Sequence, residues 1–487
     1  MKQENIVQKI WSLCNILRGD GITYYQYVSE LSYLLFLKIA QENGTEKLIP
    51  KGFRWKDLEA HDEDGLLGFY QEMLTHLGAT AENEVIKAIY AFPTTVFSHS
   101  ENLKAVIDGI SKIDWHQIGK DDFGDVYSGL IDKSAQDTRS GAGQYFTPRP
   151  LVETIVKLTK PSTGDLIQDP ATGSGGFLVS AHDYICKNYN KNEVDSNPPT
   201  YQGVEIEKNT RRICLMNTFL HKLNADIIYG DALTDDSKRL KPADIILANP
   251  PFGNKAGSKR MLRKDIPYPN CNKQFAFLQH IYLGLKIGGK ASVVLPDNVL
   301  FEEGVGRAIR EELMQKCNLH TILRLPAGIF YAAGVKTNVL FFSRHDENVS
   351  RTENIWIYDM RANMPKFGKT TPLNHDHFSD FIECFGEDPY GKAPREDQGM
   401  NGRFRCFSRD FISQRGSNLD ISWLLDEEQE NASAQIEDII ATIIVHLNSA
   451  LIELENVADE LTDSIALNEL SSDFKSTQET ESNSKYE

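Results

Sequence analysis

One glycine-rich stretch decides the fold, and it reads Asp169-Pro170-Ala171-Thr172-Gly173-Ser174-Gly175-Gly176-Phe177. The β-rich run Leu166–Gln168 precedes it, and a helical segment over Gly176–Asn188 follows. Glycines at a strand-to-helix turn permit positive φ angles and let a ligand approach the backbone closely. The stretch therefore predicts a ligand at a strand end of an α/β sheet, with a purely structural tight turn as the alternative.

The surrounding sequence supports a sheet of this kind. From about residue 140 to 345, short β-rich runs alternate with helical segments such as Lys208–Leu223, and the runs are LIQD, YQGVEI, ADIIYGD, ADIILANPP and ASVVLP. Strands alternating with helices are typical of a parallel, doubly wound, Rossmann-like sheet. The hairpin-like pair LHTILRLP and TNVLFFSR closes the region, whereas residues 345–425 give little signal.

Helical patterns lie on both sides of the sheet region. Residues 1–135 show apolar positions at helical spacing, and LSYLLFLKIA over Leu31–Ala40 predicts a buried helix that is too short to span a bilayer. A heptad-like apolar seam from Ile440 to Ile465 predicts a long helix that packs on its own chain or on a partner. The polar residues 471–487 are predicted to be disordered.

Composition narrows the class of protein. With 40 % hydrophobic and 25 % charged residues, the 487-residue chain is neither mostly disordered nor collagen-like. The net charge of −17 argues against a nucleic-acid partner, but residues 426–487 carry −14 of it and leave −3 for the rest. Seven cysteines without a CxxC pair favour reduced thiols in the cytoplasm and predict no metal site.

Two phosphate-binding interpretations of the glycine-rich stretch fail. A P-loop needs Lys and then Ser or Thr after the glycines, but Phe177 follows Gly176. A dinucleotide site needs a GxGxxG pattern, which is absent from this turn. S-adenosylmethionine fits better, because it lacks phosphates and carries positive charges that a carboxylate attracts.

Three carboxylates follow successive predicted strands. Asp169 is placed to attract the ammonium or sulfonium side of that ligand, Glu205 to accept hydrogen bonds from the ribose hydroxyls, and Asp231 to accept one from the adenine amino group. Parallel strands bring their carboxyl ends to one edge of a sheet. The ordered series therefore predicts one site, with Glu207 as the competitor of Glu205 for the ribose role.

The fourth strand runs into Asn249-Pro250-Pro251-Phe252. Consecutive prolines fix φ and supply no N–H groups, so they hold a rigid turn with free carbonyl oxygens. The oxygens of Asn249 and Pro250 are predicted to accept both protons of an exocyclic amino group, and Phe252 offers a stacking face for a base. The alternative is a turn that only ends the strand and binds no ligand.

Together these motifs resemble a known family. GQYFTPRP over 143–150, DPATGSGGF, GVE, GDA and NPPF occur in the order found in amino-group DNA methyltransferases, and the whole chain is similar to the modification (M) subunits of type I restriction-modification systems. The resemblance implies that two groups of residues contact the cofactor. They are Gln144, Tyr145, Phe146, Thr147, Pro148 and Arg149 at its methionine end, and Gly173, Ser174, Gly175 and Gly176 at its floor.

The resemblance also implies the reaction and the partners. We expect methyl transfer from S-adenosylmethionine to N6 of adenine in double-stranded DNA, which protects host DNA. A specificity (S) subunit, with two M subunits per S, and a restriction (R) subunit would complete the complex, with no membrane partner. The predicted parts are a helical domain (1–135), a methyltransferase domain (136–425), a helix for subunit docking (426–470) and a disordered acidic tail (471–487).

Other interpretations remain. Asn-Pro-Pro-aromatic loops also serve methylation of RNA bases and of glutamine side chains, and a non-catalytic scaffold could keep the same fold. Just beyond the loop, KAGSKRMLRK is either a phosphate-contacting loop or a solvated one. Its basic residues are Lys255, Lys259, Arg260, Arg263 and Lys264.

Overall fold

The helical pattern of the first third of the chain produces a group of packed helices. In the computed structural model, the described residues are 2–18, 21–117, 119, 122–135, 147–253, 263–330, 336–345, 352–365, 367–368 and 371–424. The predicted docking helix (426–470) and tail (471–487) lie outside these ranges. The helices before residue 136 are α1 (Lys2–Ser12), α2 (Cys14–Arg18), α3 (Tyr24–Asn43), α4 (Trp55–Glu59), α5 (Leu66–Thr80), α6 (Glu84–Ile89), α7 (Ser100–Ser111) and α8 (Phe123–Ala135).

Helix α3 is the buried centre of this helical region. Thr23 and Gln26 form a reciprocal capping box at its start, and Gly44 ends it in the left-handed conformation. Every residue from Tyr27 to Ala40 is buried, which confirms the buried helix expected from LSYLLFLKIA. No helix within the described ranges is long and apolar enough to cross a membrane.

The central sheet is built as its pattern predicts. Its strands are β1 (Leu166–Asp169), β2 (Thr200–Glu205), β3 (Ala225–Tyr229), β4 (Ala243–Ala248), β5 (Leu285–Pro296), β6 (Cys317–Arg324), β7 (Thr337–Arg344), β8 (Asn354–Asp359) and β9 (Phe404–Ser408). In the described part of the chain they form one nine-stranded sheet in the order β3-β2-β1-β4-β5-β7-β6-β8-β9.

The remaining helices cover and connect these strands. They are α9 (Arg149–Thr159), α10 (Gly176–Asn188), α11 (Lys191–Ser196), α12 (Lys208–Leu220), α13 (Lys273–Gly284), α14 (Asn298–Phe301), α15 (Val305–Lys316), α16 (Ser379–Phe385) and α17 (Arg409–Gln414). Helix α12 ends three residues before the predicted Leu223, because the chain leaves the helical conformation at His221.

The first five strands are parallel, which confirms the doubly wound α/β prediction. Strand β1 pairs with β2 and β4, β2 pairs with β3, and β4 pairs with β5, all in parallel. The carboxyl ends of β1 to β4 therefore lie at one edge of the sheet, and the break in strand order between β2-β1 and β4 opens a crevice there.

The second half of the sheet is mixed. Strand β7 is antiparallel to both β5 and β6, as the hairpin-like pair predicts. Strands β8 and β9 extend the sheet from the region 345–425, where the sequence pattern predicts no strand. Strand β8, NIWIYD, is buried over most of its length, so both of its faces are apolar and the alternation that marks a surface strand is missing.

Candidate functional site

The glycine-rich stretch forms a turn between β1 and α10. Its backbone takes positive φ at Gly173 (54°) and at Gly175 (81°). A side chain at Gly175 would place its Cβ 2.9 Å from Cys214 Sγ, so α12 packs directly against this turn. At Gly176 the opposite holds, because an added Cβ would meet no atom within 4 Å among the described residues outside its own helix. The turn thus needs glycine at Gly175 for packing, whereas Gly176 leaves space open.

Asp169 ends β1 beneath this turn. Its carboxylate is 1 % exposed and accepts a hydrogen bond from Ala171 N at 3.0 Å. Burial, and to a lesser extent the neighbouring Glu205 carboxylate, raise the pKa of Asp169 to about 8. No ion pair to Asp169 exists among the described residues. In the described part of the chain, the site therefore holds a buried acidic group that pairs with no cation.

Glu205 ends β2 and faces the same turn. Its Oε2 accepts from Gly173 N at 3.0 Å, and its Oε1 accepts from Glu207 N at 2.8 Å. Burial raises the pKa of Glu205 to about 7, against the lowering effect of these backbone bonds. Glu207 instead caps α12, with its side chain accepting from Thr210 N at 2.6 Å. Glu207, the alternative to Glu205 for the ribose role, is thus already hydrogen-bonded to the first turn of α12.

Asp231 lies farther along the edge, two residues beyond the end of β3. Its Oδ1 accepts from Leu233 N at 3.0 Å, and its own N–H donates to Asp236. Tyr229, the last residue of β3, is the register partner of Glu205. Asp231 therefore follows the strand that neighbours β2, the strand of Glu205. Its carboxylate caps its own turn and does not line the cleft described below.

Asn249 is the first residue after β4, whose neighbour in the sheet is β1. Its Nδ2 donates to Thr147 Oγ1 at 3.0 Å. Its Oδ1 is buried and accepts from no described residue. A buried acceptor without a donor costs about 1–3 kcal/mol, so such an atom marks a place where a ligand donor belongs.

The rest of the loop is anchored at its far end. Pro250 is buried, Pro251 is exposed and Phe252 is half-buried. Gly253 N donates to Oε1 of the buried Gln274 at 3.1 Å, and Lys273 N donates back to Gly253 O. Helix α13 therefore holds the loop in place after the two prolines.

A cleft of about 350 Å³, open to solvent, lies between these elements. Six of the predicted site residues line it together with four others: Thr147, Val152, Asp169, Ala171, Thr172, Gly173, Ser174, Gly176, Phe177 and Asn249. The structure thus brings the β1 turn and Asn249 to one cavity. Glu205 does not line this cleft itself, but it accepts a hydrogen bond from Gly173, which does.

The segment before α9 is described only in part. Gln144, Tyr145 and Phe146 lie outside the described residues, whereas Pro148 is the N-cap residue of α9. Arg149 pairs with Glu153 at 2.7 Å and with Asp125 at 3.6 Å. It lines a neighbouring cavity of about 520 Å³ instead of the cleft that holds Asp169.

Three features escape sequence reasoning. Ile206 is 51 % exposed directly after Glu205, and the only signal for it is an apolar residue at an acidic strand end. Asn217 Nδ2 donates to Ser174 O at 3.0 Å from inside α12. The bond between Thr147 and Asn249 joins two motifs that are separate in the sequence.

In the basic stretch KAGSKRMLRK, Arg263 differs from the expected phosphate-contacting or solvated residue. Arg263 forms an ion pair with Asp265, and its Nη1 lies 2.8 Å from Nδ1 of the buried His280. Burial lowers the pKa of His280 to about 3, so the neutral ring accepts from Arg263. Arg263 therefore bonds to side chains of the protein itself. Lys264 is exposed, and the other three basic residues lie outside the described ranges.

Known proteins share this sequence and this fold. The N-6 DNA Methylase family model matches residues 118–433, and the HsdM N-terminal domain model matches residues 6–110. The type I restriction enzyme EcoKI methylase subunit of Escherichia coli (strain K12) is 40 % identical, over 95 % of this chain and 96 % of its own length.

Solved structures agree with these relatives. The crystal structure of the EcoKI M protein is similar with a TM-score of 0.54 and 38 % identity, over 87 % of this chain and 90 % of that chain. A chain from a study of complex assembly and conformational transition of the type I R-M system gives a TM-score of 0.73 and 26 % identity, over 92 % and 98 %. The protein belongs to the N-6 DNA methylase family, as a methylase subunit of a type I restriction enzyme.

Proposed function

We propose that this methylase subunit takes its methyl group from S-adenosylmethionine, bound at the β1 turn. That cofactor supplies a methyl group on a positively charged sulfonium, already activated for direct transfer. Asp169 and Glu205 are buried carboxylates with raised pKa values, which suits a cationic ligand. Glu205 would hold the ribose hydroxyls, and Asp231 the adenine amino group through its second oxygen.

The glycine floor fits a ligand of this shape. Gly176 lines the cleft, and no atom of the described residues outside its own helix lies within 4 Å of the position that a Cβ would take there. Gly173, Ser174 and Gly175 would complete the floor. The exposed Ile206 offers an apolar contact for a flat base beside Glu205. We propose Gln144, Tyr145, Phe146, Thr147, Pro148 and Arg149 for the methionine end, as the family pattern implies.

The target adenine would bind to the loop formed by residues 249–252, which we call the catalytic loop. Asn249 carries the proposal, because its buried Oδ1 lacks a donor among the described residues while Thr147 holds its amide. Asn249 Oδ1 and the Pro250 carbonyl would accept both amino protons, which directs the nitrogen lone pair toward the incoming methyl. Pro251 stiffens the turn.

Chemistry on a base inside a duplex requires the base to leave the stack, at a cost of a few kcal/mol. Stacking on Phe252, worth about 1–3 kcal/mol, would offset part of this cost. Orientation and fixed hydrogen-bond acceptors then supply the rate enhancement. No covalent intermediate with the enzyme is needed, so no cysteine takes a catalytic role.

We propose that the substrate is double-stranded DNA and that a specificity subunit reads its sequence. Two methylase subunits would bind each specificity subunit, and a restriction subunit would join them in the full complex. Matches to two family models, one ending at residue 110 and the other starting at 118, support a helical domain followed by a methyltransferase domain, for which we propose residues 1–135 and 136–425. The helix 426–470 would dock on the partner, and the acidic tail 471–487 would stay off the duplex. The seven free cysteines suit the cytoplasm.

One experiment tests the proposal. The protein, with and without its specificity subunit, is incubated with radiolabelled S-adenosylmethionine and with DNA, RNA or protein. We expect label in N6-methyladenine of DNA only, and at specific sites only when the specificity subunit is present. Label in RNA or in glutamine side chains would contradict the proposed substrate.

A further inference from the structure

Two hydrogen-bond paths run from the helical region to the glycine-rich turn. In the first, the Tyr25 hydroxyl on α3 donates to Glu207 Oε2 at 2.5 Å. Glu207 N donates to Glu205 Oε1 at 2.8 Å, and Gly173 N donates to Glu205 Oε2 at 3.0 Å. A side chain from the helical region thereby reaches the proposed ribose carboxylate through one intermediate residue.

The second path is independent of the first and ends on the next residue of the turn. Ser128 Oγ on α8 donates to Asn217 Oδ1 at 3.1 Å, and Asn217 Nδ2 donates to Ser174 O at 3.0 Å. Asn217 is 3 % exposed, and both Ser128 and Asn217 line the neighbouring cavity that Arg149 also lines. The two paths thus fix Gly173 and Ser174 from opposite ends of the helical region.

We propose that Tyr25 and Ser128 are positioning residues for the cofactor turn, so that the helical region sets the cofactor affinity of the methyltransferase site. The inference rests on the proposed function of that turn. It makes the helical region part of the cofactor site, in addition to any role in assembly.

The geometry around Glu207 explains how Tyr25 acts at a distance. Burial disfavours the charged form of Glu207, but hydrogen bonds from Tyr25 and Thr210 outweigh it and lower the pKa of this carboxyl. The ionised side chain is held between Tyr25 and the first turn of α12. That fixes the Glu207 backbone, whose N–H is aimed at Glu205 Oε1. Without the Tyr25 hydroxyl, Glu207 keeps its bonds to the first turn of α12 but loses its hydrogen bond to the helical region.

The alternative is that these bonds only hold the helical region against α12. Such bonds would change stability and leave cofactor affinity alone. Tyr27 provides a matched control on the same helix, because its hydroxyl donates to Ile10 O at 2.7 Å inside the helical region and does not reach α12.

The test uses the full chain and the variants Tyr25→Phe, Ser128→Ala and Tyr27→Phe. The dissociation constants of S-adenosylmethionine and of S-adenosylhomocysteine are measured by isothermal titration calorimetry, together with thermal unfolding. We expect Tyr25→Phe and Ser128→Ala each to weaken binding of both ligands by about fivefold, since each loses one hydrogen bond of a path. With the specificity subunit present, kcat at saturating cofactor should stay within about twofold of wild type, while KM for the cofactor rises.

Tyr27→Phe should lower the unfolding temperature as much as Tyr25→Phe does and leave cofactor affinity unchanged. Wild-type affinity in both Tyr25→Phe and Ser128→Ala would overturn the inference, as would an equal loss of affinity in Tyr27→Phe. Because the two paths are separate, one unstable variant still leaves the other to decide. A wild-type protein that binds neither ligand would instead overturn the proposed function, and this inference with it.

Discussion

Thr147 Oγ1 accepts a hydrogen bond from Asn249 Nδ2 at 3.0 Å, and this contact joins the segment before α9 to the catalytic loop. The bond fixes the carboxamide and leaves Oδ1 without a donor among the described residues, where we propose that the substrate amino group binds. Thr147 also lines the cleft beside Asp169 and Gly176. Under the proposed function, Thr147 would thus orient Asn249 toward the target base and also border the cofactor.

Replacing Thr147 tests this placement. Thr147→Val keeps the shape but removes the acceptor, so the Asn249 amide is free to rotate and kcat should fall about tenfold. Thr147→Ser keeps the hydroxyl and should retain kcat within about twofold. Initial rates at saturating cofactor and DNA decide the matter, and a Thr147→Val enzyme with wild-type kcat would show that the bond does not orient Asn249.

Gly176→Ala tests whether the cleft at the β1 turn holds the cofactor. The new Cβ meets no atom within 4 Å among the described residues outside its own helix, so the fold should tolerate it. At the first position of α10 the gain in stability from alanine should stay below about 1 kcal/mol. Cofactor affinity, measured by calorimetry, should fall at least about tenfold because the methyl group occupies ligand space.

Gly68 supplies the control for that variant. It lies in α5, where an added Cβ also meets nothing within 4 Å. Gly68→Ala should therefore raise stability by a similar amount and leave cofactor affinity unchanged. If both alanine variants bind the cofactor with equal affinity, the cofactor does not lie at the floor of this cleft.

The buried carboxyl of Asp169 should make the stability of the ligand-free protein depend on pH. A pKa of about 8 in the folded state, above the ordinary value of 3.8, means that folding favours the protonated form. Its stabilising contribution is complete below the unfolded pKa and is lost as the pH rises through about 8. Between pH 6 and pH 8 the loss should reach about 2 kcal/mol.

Asp169→Asn cannot ionise and should escape that loss. Chemical denaturation of both proteins at several pH values should show the variant gaining on wild type by about 2 kcal/mol from pH 6 to pH 8, while it loses cofactor affinity. A stability difference that does not change with pH would mean that Asp169 is already ionised at pH 6.

Removing residues 425–487 tests the proposed docking role of the C-terminal segment. The truncated chain should bind S-adenosylmethionine within about twofold of the full chain, because no proposed cofactor residue lies beyond Asp231. Association with the specificity subunit, followed by size-exclusion chromatography, should be lost. Continued co-elution would place the docking surface within residues 1–424.

Sequence alone predicts much of the fold and of the site, for physical reasons. Strands β1 to β5 are short apolar runs with turn residues after them, and Asp169, Glu205 and Asn249 stand at their ends. Parallel strands must present these ends at one edge. The place of Asp169 and Asn249 in the strand order was therefore enough to predict that they lie at one cleft, whereas their roles in it stay predictions.

Contacts between distant segments are what sequence does not supply. Thr147 and Asn249 are 102 positions apart, and Tyr25 and Glu207 are 182 apart. Arg263 resembles a free cation in the basic loop, but packing brings it to Asp265 and His280. Side-chain partners of this kind depend on tertiary packing and follow no local periodicity.

The most direct measurement is methyl transfer by wild type and by Asn249→Ala, each assembled with the specificity subunit. Radiolabelled S-adenosylmethionine and cognate duplex DNA are supplied, and the digested nucleosides are separated. We predict label in N6-methyladenine for wild type and at least an about hundredfold lower rate for the variant, with cofactor and DNA affinities preserved. Equal label in N6-methyladenine from both proteins, or label from wild type in another nucleoside, would contradict the role given to Asn249 and the reaction proposed for this site.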